Sequence, residues 1–142
     1  MILWFLVVEH LSLQTRRAAC DLLLLKQAGL PVQTLHVDTY AVATTALRNA
    51  WNETTQGRAL PLTVLPRYEG DSVAETVASY VRGALDVDPT LRANLVTVWR
   101  RARPLSWRSG VLSAHSLPRQ LRNEFRSDAR VVLTDYCEGP EA

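Results

Sequence analysis

At 142 residues the chain is long enough for one domain (residues 1–142) whose core needs neither disulfide nor metal. Hydrophobic residues make up 47%, which excludes a disordered chain, and a net charge of +2 leaves no field to recruit nucleic acid, so no nucleic-acid partner is expected. The two cysteines, Cys20 and Cys137, have no CxxC or metal-ligand spacing, so no disulfide framework is expected, which fits a cytoplasmic location.

Residues 2–8, Ile-Leu-Trp-Phe-Leu-Val-Val, form a continuous apolar run that breaks at Glu9-His10. It lacks the basic start and small-residue cleavage site of a signal peptide and is too short to span a membrane. It reads as a strand covered on both faces, as in a parallel sheet. Ser12 is a candidate N-cap for a first helix, although Thr15 stands where a complete capping box carries Glu or Gln. Leu13, Cys20, Leu23 and Leu24 fall at helical spacing, which puts Cys20 in the core, and Gly29 and Pro31 end the helix. Residues 32–37 read as a second strand. Asp38 or Thr39 is expected to cap a second helix carrying Ala43, Leu47, Ala50 and Trp51, with Gly57 past its end.

A third strand is expected at 60–65. It contains Pro61, which cannot donate to a ladder, so the strand belongs at an edge. Ser72 and Glu75 form a capping box ahead of Val73, Val77, Tyr80, Val81, Ala84 and Leu85 at helical spacing. Residues 94–99 form a fourth strand, 100–114 an irregular arginine-rich stretch, and a last helix starts near Ser116 with Leu117, Leu121 and Phe125 on one face. Residues 130–135 form a fifth strand. The alternation predicts a three-layer, doubly wound α/β domain with five mainly parallel strands, and Pro61 at an edge favours the order 3-2-1-4-5. Ligands of such sheets bind at the carboxyl ends of the strands where the order reverses, here between strands one and four.

Over nearly its whole length the chain resembles the universal stress protein family. It is most similar to the universal-stress-like cytosolic domains of bacterial amino-acid permeases. The residues that carry this are Leu35-His36-Val37-Asp38, Leu62-Thr63-Val64-Leu65-Pro66, Leu95-Val96-Thr97-Val98 and Ser113-Ala114-His115-Ser116. The resemblance implies a non-catalytic regulatory domain of the stress response rather than an enzyme. It implies ATP or another adenine nucleotide as a possible ligand, with Glu9 beside the base and the main chain of Val37 facing it. It also implies a homodimer through the strand at 130–135, and a membrane transporter as a possible partner.

The chain departs from that family where the phosphates would lie. The pattern G-x2-G-x9-G-[ST] is missing, and Gly110 is the only glycine between Trp99 and His115. Glycines let main-chain amides approach phosphate oxygens closely, so standard ATP binding is not expected. Arg100, Arg101, Arg103 and Arg108 occupy the segment instead, followed by His115 and Ser116. Guanidinium forks can replace amides as anion ligands. The same arginines also suit a solvated basic loop, or one that pairs with a partner's acidic residues. A structural dimerisation or docking module with no small-molecule ligand is the alternative function. Walker, Rossmann and Gly-x-Ser-x-Gly patterns are absent. His36, inside a strand, reads as a core residue. His10 and His115 could meet at the carboxyl edge of the sheet, where Glu9 is the one obvious third ligand, and no metal site is expected.

Overall fold

A computed structural model describes residues 1–40, 42–56, 61–67, 72–100 and 117–138. Five parallel strands form one sheet: β1 (Ile2–Val8), β2 (Val32–Val37), β3 (Thr63–Leu65), β4 (Arg92–Arg100) and β5 (Val131–Glu138). Their order is β3-β2-β1-β4-β5, as the sequence predicts. The helices among the described residues are α1 (Leu13–Gln27), α2 (Thr44–Thr55), α3 (Val73–Val87) and α4 (Leu117–Glu124).

The apolar run of β1 is explained by its central place. Leu3, Phe5 and Val7 join α3 and α4 in one core cluster, while Trp4, Leu6 and Val8 join α1 and α2 in the other. Alternate side chains of a strand point to opposite faces, so a strand covered on both sides has no polar position. Trp4 meets Trp51 of α2 with ring centroids 6.2 Å apart, and Phe5 meets Tyr80 of α3 at 6.3 Å.

The helix ends follow the sequence in three places. The Ser72 hydroxyl accepts from the Glu75 amide at 3.1 Å, and the Glu75 carboxylate accepts from the Ser72 amide at 3.4 Å. In α1 the Thr15 hydroxyl takes the role usually held by Glu, accepting from the Ser12 amide at 3.2 Å. Gly29 then closes α1 at φ +83°. Its amide donates to Lys26 at 3.0 Å and that of Leu30 to Leu25 at 3.3 Å, a pattern that needs the left-handed backbone glycine tolerates.

Three expectations need correction. In α1 the buried residues are Thr15, Ala18, Ala19 and Leu22, whereas Leu13 and Leu24 are exposed and Cys20 lies on the surface. Leu22 to Leu25 put apolar side chains on every side of the helix, so periodicity could not select a face. Ala18 and Ala19 lie on the buried face, in the core cluster with Trp4, Leu6 and Val8 of β1. Secondly, neither Asp38 nor Thr39 caps α2, which starts after Ala43 with no side-chain cap. Both side chains are engaged at the end of β2 instead. Thirdly, Pro61 precedes β3 rather than lying in it, although the strand does hold an edge. Residue 60, Gly57 and the start of the last helix near Ser116 lie outside the described residues. β4 and β5 prove longer than the expected 94–99 and 130–135.

Candidate functional site

The strand order reverses between β1 and β4, so the chain leaves these neighbouring strands toward opposite halves of the sheet. Val8, the last residue of β1, lies opposite Val98 of β4, and the Glu9 amide donates to the Val98 carbonyl at 2.8 Å. Glu9 is thereby held directly above the switch point. Partial burial there raises the pKa of its carboxyl above the ordinary value. Ionisation costs more where water is displaced. Arg100 ends β4 with an exposed side chain, in register with Glu138 of β5. Beside it the Trp99 indole Nε1 is buried without a hydrogen-bond partner.

The end of β2 is tied down from both sides. The Thr39 hydroxyl donates to the Val8 carbonyl at 3.0 Å, and the Asp38 amide to the Leu65 carbonyl at 2.9 Å. The Asp38 carboxylate accepts from the Tyr40 amide at 2.8 Å, an aspartate turn that accompanies φ +59° at Tyr40. A bulky residue is rarely held in that region. The exposed Tyr40 ring lies 4.5 Å below the Arg67 guanidinium, and its hydroxyl donates to the Arg67 carbonyl at 3.3 Å. His36 is buried one residue before Val37, with Nδ1 2.9 Å from the Leu6 carbonyl. That carbonyl can only accept, so Nδ1 carries the proton.

Of the residues expected at the site, the fold brings Glu9, Val37 and Arg100 to one end of the sheet. The Val37 side chain is fully buried in the core, which leaves only its main chain to meet a ligand. Arg101, Arg103, Arg108, Gly110, His115 and Ser116 lie outside the described residues. Among the described residues no cluster of three or more His, Cys, Asp or Glu could hold a metal. Tyr40, Arg67 and the Trp99 nitrogen were missed. An aspartate two residues before an aromatic was the available signal for Tyr40, whereas its meeting with Arg67 is a long-range contact that no local pattern encodes.

Two open grooves, of about 450 and 750 Å3, lie at the opposite end of the sheet, beside α4 and the start of β5. Neither contains a switch-point residue. Among the described residues, no helix is long and apolar enough to cross a membrane. No protein-family model matches the chain, and no curated protein or solved structure matches it.

Proposed function

We propose that the chain is a non-catalytic regulatory domain of the universal stress protein type, sensing a small anionic ligand at the carboxyl end of its sheet. An adenine nucleotide is the first candidate. The observation that best supports this reading is the strand reversal between β1 and β4, with Glu9 held above it and Arg100 ending the neighbouring strand. A carboxyl group with a raised pKa suits hydrogen bonding to a heterocyclic base. A guanidinium suits a phosphate or carboxylate, to which it can donate two parallel bonds.

Other side chains at this end already have structural partners. The Ser12 hydroxyl accepts from Gln14, the Asp38 carboxylate from Tyr40, and His36 is turned into the core. These commitments favour binding over acid–base chemistry.

Isothermal titration calorimetry with ATP and AMP tests the reading. Saturable heat is expected, with affinity reduced roughly tenfold by Arg100→Ala through loss of a charge-assisted hydrogen bond. Glu9→Ala should weaken AMP more than inorganic phosphate, because only AMP carries a base. Absence of heat at about 1 mM nucleotide, the regime of very weak binding, would overturn the nucleotide reading.

A further inference from the structure

β5 is the last strand of the sheet, and among the described residues no strand pairs with its outer side. The Arg130 carbonyl accepts from the Ala93 amide at 3.0 Å, so Arg130, Val132 and Thr134 direct their main-chain groups to β4. By alternation, Leu133, Asp135 and Cys137 direct theirs outward, as does the Val131 carbonyl, whereas the Val131 amide is taken by the Asp128 carbonyl at 3.2 Å. Unpaired outward groups on a strand are a template for another extended chain.

The side chains next to this edge differ between its two faces. On the α4 side runs the groove of about 750 Å3, with Phe125, Val131 and Leu133 as its apolar floor and Arg119, Arg122 and Arg126 along it. Arg122 pairs with Asp135. Arg119 meets no carboxylate among the described residues, and Arg126 donates to the neutral Asn123 Oδ1 at 2.8 Å. Acidic neighbours are already taken: Glu124 by Arg82 at 2.7 Å and Asp128 by Arg130 at 2.9 Å. On the other face Val132 is apolar and 59% exposed. An added strand would therefore meet positive charge on one face and an aliphatic side chain on the other.

We propose that the outer edge of β5 takes up an extended peptide segment of a partner protein in which acidic and aliphatic residues alternate. The acidic residues lie over the arginines and the aliphatic ones beside Val132, while main-chain bonds extend the sheet. Charge complementarity favours this occupant over a second copy of the chain. Antiparallel pairing of β5 with itself would set α4 against α4 on the same face and bring the two arginine rows together, and like charges so placed repel.

Fluorescence anisotropy with a labelled peptide of about ten residues, alternating Glu and Val, tests the proposal; that length matches a long strand. Saturable binding that weakens with salt is expected. The exposed-surface variant Arg119→Glu/Arg126→Glu should lose affinity about tenfold, since two favourable charge contacts become repulsive. N-methylation of alternate peptide residues should weaken binding by a similar factor, because it removes main-chain donors while keeping every charge. This second comparison uses the unaltered protein and is independent of the variant's folding. Equal binding of a Lys–Val peptide, indifference to N-methylation, or no saturation by about 1 mM would overturn the proposal. So would sedimentation showing a dimer that the peptide does not dissociate.

Discussion

His36 is 2% exposed on β2, and burial lowers its pKa despite the Leu6 carbonyl and the nearby Asp38 charge, which both act in the opposite direction. The folded protein therefore holds the neutral imidazole, while the unfolded chain binds a proton near pH 6.5. Stability is fully present above that pH and is lost as pH falls through the folded-state value. Urea unfolding should show a lower midpoint at pH 5.5 than at pH 7.5, with a slope no steeper than about 1.4 kcal/mol per pH unit, the limit for one proton. In His36→Asn, which keeps a donor for the Leu6 carbonyl but does not titrate, this part of the difference should vanish. A core role for His36 was legible because the residue stands inside an apolar strand. The meeting of the Tyr40 side chain with Arg67 was not, since it joins residues 27 positions apart.

Among the elements, α3 was the most readable. Its capping box and apolar spacing act together, and Ala74, Val77, Ala78, Val81 and Leu85 all face the core. Ser72→Ala removes the acceptor for the Glu75 amide and is expected to cost about 1 kcal/mol in chemical denaturation. A loss well above about 2 kcal/mol would show that Ser72 holds more than the cap. α1 was the least readable. Its four consecutive leucines offered apolar side chains in all directions, and fit against the sheet selected among them. α2 shows a related limit: Asp38 and Thr39 are good caps by residue type, yet their side chains fasten the end of β2.

At the scale of the whole molecule, stability is shared by two core clusters separated by the sheet. Leu95, fully buried at the centre of β4, packs in the cluster with α3 and α4. Leu95→Ala should cost about 2–5 kcal/mol in urea unfolding, the range for leucine truncations that leave a cavity. A loss below about 1 kcal/mol would mean that α3 and α4 close over the gap. The sequence by itself determined the element order, the parallel sheet and the edge position of β3, because burial on both faces and chain alternation leave a local imprint. It also placed Glu9 and Arg100 at the carboxyl ends of β1 and β4, because each directly follows or ends an apolar strand. Only the tertiary structure decided which face of α1 is buried, what Asp38 and Thr39 bind, and that Arg119 and Arg122 of α4 lie beside the outermost strand β5. Each of these depends on residues distant in sequence meeting in space, and neither periodicity nor spacing along the chain carries that information.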